Sequence, residues 1–176
     1  YDDFGLLRRR AVYAHCIHLD EADRQLMAAT GTTAAVSPTS NQFLGSGFFD
    51  YLAADEAGMG YGLASDVGGG TSFSPFRTML AAYTVGREGQ TKPGLSLAPG
   101  QLWWQHTAGA ARALGLQGVV GNLQPGHEAD FVVLDPKATP LLARKTAQAD
   151  SLDEFLFALI VLGDDRVVAR TVVNGR

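Results

Sequence analysis

Apolar and polar positions in the first part of the chain alternate in blocks that predict strands followed by helices. Short apolar runs have the length and flanking turns of buried strands, and they occupy residues 11–15, 33–36 and 60–64. Helical patterns lie between them at residues 20–30 and 48–57, and each is followed by a glycine. This order of strand, helix, strand, helix and strand is typical of a parallel sheet or barrel.

Caps and turns indicate where these elements begin and end. Asp20, with Asp23 three residues later, predicts a capping box at the start of the first helix, and Gly31 predicts its end. After the second strand, the polar residues 37–41 predict a turn, followed by the glycine-rich stretch 44–47. Two interpretations of this turn stay open: it only connects two elements, or it lines the mouth of a pocket.

Helices continue after the third strand. One is predicted at residues 75–85 and another, rich in alanine, at residues 100–114. The glycine- and proline-containing residues 86–99 between them predict a loop.

The character of the chain changes near residue 118, where turns and β-forming residues become frequent. The predicted elements are a strand at 129–135, an irregular segment at 136–150, a helix at 152–162 capped by Ser151 and Glu154, and a last strand at 167–173. We therefore predict two parts, residues 1–117 and residues 118–176, the second belonging to a small β-rich domain.

Length and composition set limits on this architecture. The 176 residues suffice for one domain or a domain and a half, whereas a complete eight-stranded β/α barrel needs about 250. Hydrophobic residues make up 46% and charged residues 18% of the chain, which is typical of a globular protein. The chain begins without Met and without an apolar signal segment, so we expect an internal piece of a longer protein.

Charge and cysteine content exclude several classes of partner. The net charge of −4 argues against a nucleic-acid or anionic-membrane surface. No apolar run reaches the roughly 18 residues of a membrane span. The single cysteine, Cys16, excludes an internal disulfide framework and is typical of a reducing compartment. We therefore expect a cytoplasmic protein that binds neither nucleic acid nor membranes.

His15 and Asp66 are the candidate chemical residues because each ends a predicted strand. Three glycines follow shortly after Asp66, at residues 68–70. In a parallel barrel the carboxyl ends of the strands converge on one pocket, so the two side chains are expected to meet. Imidazole and carboxylate suit a zinc or ferrous ion that activates water for hydrolysis. Two alternatives stay open: Asp66 caps the glycine-rich turn, and His15 has a structural role.

The other cysteine and histidine residues have simpler interpretations. Residues three apart on a strand point to opposite faces, which excludes His15 and His18 as a metal pair on one strand. Cys16 is expected to be a small buried side chain, His18 to pack or cap near the first helix, and His106 and His127 to be structural or solvated. The sequence contains no His-x-His, His-Glu-x-x-His or Gly-x-Ser-x-Gly motif, and its glycines lack the P-loop pattern.

Taken in order, several motifs resemble those of the metal-dependent amidohydrolases, and among these the guanine deaminases. The motifs are Ala14-His15, Ile17-His18-Leu19, and the segments 37–41, 43–47, 65–72, 110–116 and 121–131. The stretch Pro-Thr-Ser-Asn-x-Phe-Leu-Gly-Ser-Gly, together with Asp-Val-Gly-Gly-Gly-Thr-Ser, points to the guanine deaminases in particular. The likeness covers nearly the whole chain.

This resemblance implies a (β/α)8 barrel that binds one catalytic metal, usually zinc with iron as an alternative, and that hydrolyses guanine to xanthine and ammonia. By the same likeness, Asp66 is a metal ligand at the end of the eighth strand and takes a proton from the attacking water. His15 resembles the sixth-strand histidine that hydrogen-bonds the substrate and the attacking hydroxide. The family often forms dimers, so the implied partners are guanine and a second copy of the chain.

The sequence also departs from the family. The first-strand His-x-His, the fifth-strand histidine and the proton-shuttling glutamate are not found, Ser65 replaces the more usual threonine, and Cys16 stands where glycine is commoner. The resemblance therefore implies the C-terminal part of the barrel with part of a small flanking β-sandwich, a fragment that is inactive alone. We expect its uncovered strand edges to cause dimerisation, swapping or aggregation.

Two other functions stay open at this point. The first is a fragment of a different amidohydrolase, which deaminates or dechlorinates a related purine, pyrimidine or triazine. The second is a metal-free module for folding or oligomerisation.

Overall fold

The computed structural model describes residues 1–88 and 95–176. In these residues the chain forms β1 (Val12–Ala14), α1 (Glu21–Thr30), β2 (Thr33–Val36), α2 (Pro38–Phe43), α3 (Tyr51–Glu56), β3 (Gly60–Leu63), α4 (Pro75–Glu88), α5 (Pro99–His106), α6 (Ala108–Ala113), β4 (Phe131–Leu134), α7 (Pro140–Thr146), α8 (Leu152–Leu162) and β5 (Val168–Val172), with short 3₁₀ turns at Asp2–Phe4 and Asp165–Val167. Within the same ranges, no helix is long and apolar enough to cross a membrane.

The first three strands form one parallel sheet in the order β1-β2-β3. The register aligns Tyr13 with Ala34, and Ala34 with Tyr61. Parallel strands need a crossover, and α1 provides it between β1 and β2, while α2 and α3 provide it between β2 and β3. The predicted parallel arrangement is confirmed, and it brings the carboxyl ends of all three strands to the same edge.

The first helix begins and ends as its sequence predicts. The Asp20 carboxylate accepts a hydrogen bond from the Asp23 backbone N–H at 2.8 Å, and the Asp23 carboxylate accepts one from the Asp20 N–H at 3.3 Å. These two bonds form the predicted capping box. Gly31 ends the helix at φ 71°, a left-handed conformation that glycine adopts at low cost.

Four predicted segments need correction. The segment 37–41 is the start of a helix rather than a turn: Ser37 is the N-cap of α2, and Pro38 stands at the first helical position, where its missing N–H costs nothing. The segment predicted to be irregular contains α7, which begins at Pro140 in the same way. The helix predicted at 75–85 continues to Glu88. The alanine-rich helix is two helices, separated at Thr107.

The predicted loop at 86–99 is only partly described. Its first three residues belong to α4, and α5 begins at its last residue. Residues 89–94 lie outside the described residues.

Elements from both predicted parts pack together. Buried side chains of α4 and α5, such as Met79 and Leu102, belong to the same hydrophobic cluster as Leu142 and Ile160 from α7 and α8. The Trp103 indole N–H donates to the Leu156 carbonyl at 3.3 Å across this contact. Each fully buried aliphatic side chain stabilises the fold by about 1.5–3 kcal/mol. The division at residue 118 stays a prediction.

The last two strands form an antiparallel ribbon of their own, β4-β5. Its apolar side chains are largely uncovered, with Val132 at 49% and Val133 at 45% of their full exposure. A two-stranded ribbon is marginally stable by itself, so this one depends on packing at the two ends of β5, where Val167, just before the strand, and Val172, its last residue, are buried.

Candidate functional site

The first candidate residue, His15, directly follows β1 and is held in an uncommon backbone conformation. Its φ is 64°, and that of Cys16 is 53°. Both lie in the left-handed region, which costs a residue with a Cβ atom about 1–2 kcal/mol. The His15 backbone N–H donates to the Ala35 carbonyl on β2 at 2.9 Å, which extends the ladder by one residue. The chain turns sharply after this bond, and the imidazole is placed at the edge of the sheet.

The second candidate residue, Asp66, follows β3 in a similar conformation, with φ 48°. Its carbonyl accepts a hydrogen bond from the Gly70 N–H at 2.5 Å, which closes a tight loop. This loop has no room for side chains at two positions. A Cβ atom at Gly69 would lie 2.8 Å from Asp66 Oδ2, and one at Gly70 would lie 2.1 Å from the Ser65 carbonyl oxygen. The glycines after Asp66 are therefore required by close approach.

The two side chains converge, as the strand ends predict. His15 Nε2 lies 3.8 Å from Asp66 Oδ2, and the side chains are 39% and 41% exposed. The pair is thus open to a ligand on one side and supported by the sheet on the other. What each residue does chemically stays a prediction.

A third residue, Asn41 on α2, completes the cluster. Its side-chain Oδ1 lies 2.8 Å from His15 Nδ1, and Asn41 is 2% exposed. The sequence interpretation left the role of the segment 37–41 open and did not single out this residue. The one signal in the sequence is the polar pair Ser40-Asn41, which begins four residues after the end of β2; in the structure both residues are buried, and buried polar residues need a specific partner.

The helix α2 also contacts the loop that carries Asp66. The Thr39 hydroxyl donates to the Ser65 carbonyl at 3.4 Å. The Ser40 hydroxyl lies 2.9 Å from the position that a Cβ atom on Gly69 would occupy, and Ser40 is fully buried. One short helix therefore supports both candidate residues, His15 through Asn41 and Asp66 through Thr39.

The donor set fits one part of a metal site. The carboxylate of Asp66 accepts no hydrogen bond from residues 1–88 or 95–176, so its oxygens are available to a cation. The same ranges contain no group of three or more His, Cys, Asp or Glu side chains that could hold a metal ion. Asp66 thus supplies at most one of the ligands, and His15 offers a nitrogen beside it.

Cys16 and His18 stand next to the site without joining it. Cys16 is half-buried against the core, its Sγ donates weakly to the Tyr13 carbonyl at 3.5 Å, and burial raises the pKa of the thiol to about 11. A thiol with this pKa stays protonated at neutral pH, and only the thiolate binds metals well. His18 is exposed.

In each of the two remaining histidines, one ring nitrogen is buried. His106 Nε2 and His127 Nδ1 are shielded from solvent and have no hydrogen-bond partner in the described part of the chain. Burial lowers the pKa of His106 to about 4. Of the two roles predicted for His106, structural or solvated, a neutral, buried imidazole at the end of α5 fits the structural one.

A cavity of about 540 Å³ lies at the opposite end of the strands and is separate from the candidate site. It is bordered by the residues that precede β2 and β3, and by the side chains of Arg9, Arg10 and Arg112. His15, Asn41 and Asp66 do not line it.

Comparison with known proteins identifies what the chain is similar to. The Escherichia coli (strain K12) guanine deaminase is 39% identical over 176 residues, which are 100% of this chain and 39% of that protein. The solved structure of the E. coli enzyme superposes with a TM-score of 0.95 and covers 100% of this chain and 40% of that one. The chain therefore spans about two fifths of the length of this relative.

Two further proteins are similar along the same region. The structure of guanine deaminase from C. acetobutylicum with bound guanine in the active site is 26% identical, with a TM-score of 0.84, and covers 100% of this chain and 41% of that one. The 5-methylthioadenosine/S-adenosylhomocysteine deaminase of Bacillus cereus (strain G9842) is 31% identical over 173 residues, which are 98% of this chain and 38% of that protein.

The α/β fold of the chain is the fold of these amidohydrolase structures. The sequence model of the amidohydrolase family matches residues 1–176, the whole length of the sequence. The chain belongs to the amidohydrolase family.

Proposed function

We propose that the chain is part of an enzyme that hydrolyses guanine to xanthine and ammonia. The observation that carries the proposal is the pair formed by His15 Nε2 and Asp66 Oδ2, 3.8 Å apart at the carboxyl end of parallel strands. Similarity along the whole chain to guanine deaminase from E. coli, and to a structure with guanine in its active site, supports guanine as the substrate.

In this proposal Asp66 has two tasks. Its carboxylate contributes one ligand to a catalytic zinc ion, with iron as the alternative, and it accepts a proton during the reaction. When bound, such an ion supplies Lewis-acid activation of water. The 41% exposure of the Asp66 side chain supports both tasks, because a cation and a water molecule can reach its carboxylate oxygens.

His15 is proposed to bind the substrate. Its Nε2 points toward Asp66 and toward solvent, so a guanine ring held there lies within reach of both side chains. The reaction exchanges the C2–N bond to the exocyclic amine for a C2–O bond. The water supplies the oxygen, one proton that leaves with the amine as ammonia, and one proton that ends on the neighbouring ring nitrogen of xanthine. In this proposal Asp66 takes a proton from the water while His15 orients the water or the purine.

The proposal extends to architecture. Residues 1–117 form the C-terminal part of a (β/α)8 barrel, and residues 118–176 form part of a small flanking β-sandwich. The parallel order of β1, β2 and β3 and the uncovered ribbon β4-β5 support this arrangement. The remaining metal ligands then come from residues outside this sequence, and the complete enzyme is a cytoplasmic homodimer.

A second candidate substrate is another aminated purine. The B. cereus relative, which acts on 5-methylthioadenosine and S-adenosylhomocysteine, shares 31% identity over 98% of this chain. The roles proposed for His15 and Asp66 belong to hydrolytic deamination in general and do not distinguish one aminated purine from another. Guanine and adenosine analogues are therefore compared in the test.

The test measures metal content and ammonia release for the 176-residue chain and for the longest natural protein that contains it. We expect the longer protein to hold about one metal ion per chain and to release ammonia from guanine, and the short chain to do neither. Release from 5-methylthioadenosine alone would favour the second candidate. Turnover of guanine by the short chain would contradict the proposed site, because other residues would then have to bind the metal.

A further inference from the structure

We propose that Asn41 is a positioning residue for His15: its buried side-chain carbonyl fixes the imidazole tautomer that carries hydrogen on Nδ1 and leaves Nε2 as an acceptor beside Asp66. The 2.8 Å separation of Asn41 Oδ1 and His15 Nδ1 carries the inference. An amide carbonyl oxygen can only accept a hydrogen bond, so Nδ1 must be the donor. The neutral ring then has its lone pair on Nε2.

The position of Asn41 suits this task because its backbone is held on both sides. Its N–H donates to the Ser37 carbonyl at 3.0 Å within α2, and its carbonyl accepts from the Ser46 N–H at 2.9 Å. At 2% exposure the side chain has little freedom to rotate away. The acceptor that faces His15 is therefore rigid, unlike a water molecule or a surface side chain.

The side-chain amide of Asn41 is buried and has no second hydrogen-bond partner in the described residues, which indicates that its role is to bind His15. The Asn41 Nδ2 is enclosed and has no hydrogen-bond partner in the described residues. An unsatisfied buried polar group costs about 1–3 kcal/mol, and a leucine of similar size would avoid that cost. The bond to His15 is the one side-chain hydrogen bond of Asn41 within residues 1–88 and 95–176.

The consequence concerns the space between Nε2 and Asp66 Oδ2, which are 3.8 Å apart. With hydrogen on Nδ1, both atoms are acceptors, and they attract a group with two hydrogens to donate, such as water or a purine N–H beside an amine. With hydrogen on Nε2, the ring instead donates to Asp66 and occupies a lone pair of the carboxylate. The catalytic meaning of this difference rests on the proposed function, whereas the tautomer itself does not.

The tautomer can be read directly by nitrogen NMR. In two-bond ¹H–¹⁵N spectra of the 176-residue chain, a protonated imidazole nitrogen and one with a lone pair differ in chemical shift, and a His15→Gln spectrum assigns the signals. We expect His15 to carry hydrogen on Nδ1. We expect Asn41→Asp, which keeps the acceptor oxygen, to retain this pattern. Asn41→Leu should lose it, and Gln42→Ala, an exposed neighbour on α2, should not change it.

The effect on catalysis is measured by steady-state kinetics in the longest natural protein that contains the chain. We expect Asn41→Leu to lower kcat for deamination by about 10-fold or more, because partners that orient an active-site histidine have effects of this size. Asn41→Asp should restore a substantial part of the activity. Combined with His15→Ala, Asn41→Leu should cause little further loss, since it acts through His15.

The outcomes separate this inference from the proposed function. Hydrogen on Nε2 in the wild-type chain, or an Nδ1 pattern unchanged by Asn41→Leu, would overturn the role of Asn41 whatever the enzyme does. An Asn41-dependent Nδ1 pattern in a protein that does not deaminate guanine would overturn the proposed function and leave the positioning role intact. If Asn41→Leu does not fold, the wild-type tautomer and the Asn41→Asp spectrum still decide.

Discussion

His15 Nε2 and Asp66 Oδ2 lie 3.8 Å apart although the residues follow different strands of the sheet. The parallel order of β1, β2 and β3 brings these two strand ends to the same edge, with the end of β2 between them. The helix α2 that follows β2 therefore stands between the two candidate residues and contacts both sides. The pair therefore results from the topology of the sheet.

Replacing Asp66 tests its role as a metal ligand. We expect Asp66→Asn, made in the longest natural protein that contains the chain, to lower metal content and to reduce the rate of deamination by more than about 100-fold. Even residues that only hydrogen-bond a metal ligand typically change metal affinity or activity by about 10–100-fold when they are replaced. Metal analysis and ammonia release measure the two effects. Glu56→Gln on the surface of α3 is the control and should change neither. Full metal content in Asp66→Asn would show that Asp66 is not a ligand.

The glycine loop after β3 offers a test of packing. In Gly70→Ala the new methyl group would lie 2.1 Å from the Ser65 carbonyl oxygen, so the backbone next to Asp66 must move. We expect a loss of about 3 kcal/mol in the free energy of unfolding, at the upper end of the cost of overpacking, measured by urea denaturation. Gly58→Ala is the comparison, because Gly58 has φ +66° and open space around it, and it should show only the smaller cost of the left-handed conformation. Equal losses in the two variants would contradict the steric argument.

The sequence predicts the strands better than the connections between them. The apolar runs at residues 33–36 and 60–64 place β2 and β3 almost to the residue, because a strand buried on both faces is apolar throughout. The helices α2 and α7 are missed because Pro38 and Pro140 resemble turn residues, although proline is also favoured at the first position of a helix. At both positions proline is compatible with a turn and with the start of a helix, and packing against neighbouring elements decides between the two.

Close contacts explain the other differences. The break between α5 and α6 coincides with a close approach at Gly109, where a Cβ atom would lie 2.6 Å from the ring of Trp104, and the pattern of apolar positions does not predict this contact. In the site, His15 and Asp66 are predictable because each ends an apolar strand. The polar pair Ser40-Asn41 marks a position of interest, but the partner of Asn41 is not predictable, because its hydrogen bond to His15 joins two segments that the sequence alone does not bring together.

His106 predicts how stability changes with pH. Burial lowers the pKa of His106 from 6.5 to about 4 in the folded chain, so between these values the unfolded chain binds the proton more readily. The stabilising contribution is therefore complete above pH 6.5, is lost as the pH falls toward 4, and amounts to roughly 3 kcal/mol in total. Unfolding free energies measured from pH 7 to pH 4 should fall less steeply for His106→Gln. The exposed His18→Gln should keep the wild-type slope, and a wild-type slope in His106→Gln would contradict the prediction.

Two tyrosines of one aromatic cluster provide a matched test of buried hydroxyl groups. Tyr51 and Tyr61 pack edge to face, with ring centroids 5.7 Å apart, and they are 2% and 5% exposed. The Tyr61 hydroxyl donates to Asp55 Oδ1 at 3.0 Å, whereas the Tyr51 hydroxyl is enclosed without a partner in the described residues. The two side chains therefore differ chiefly in whether the hydroxyl is satisfied.

The two phenylalanine variants should consequently have opposite effects. Tyr61→Phe leaves the Asp55 carboxyl without its donor, and we expect a loss of about 1–2 kcal/mol in the free energy of unfolding. Burial already raises the pKa of Asp55, and the hydrogen bond from Tyr61 opposes that shift, so the pKa of Asp55 should rise further in this variant. Tyr51→Phe removes a polar group that has no partner, so we expect no loss, or a small gain, in the same urea denaturation experiment. A larger loss in Tyr51→Phe than in Tyr61→Phe would show that the Tyr51 hydroxyl has a partner that stabilises the fold.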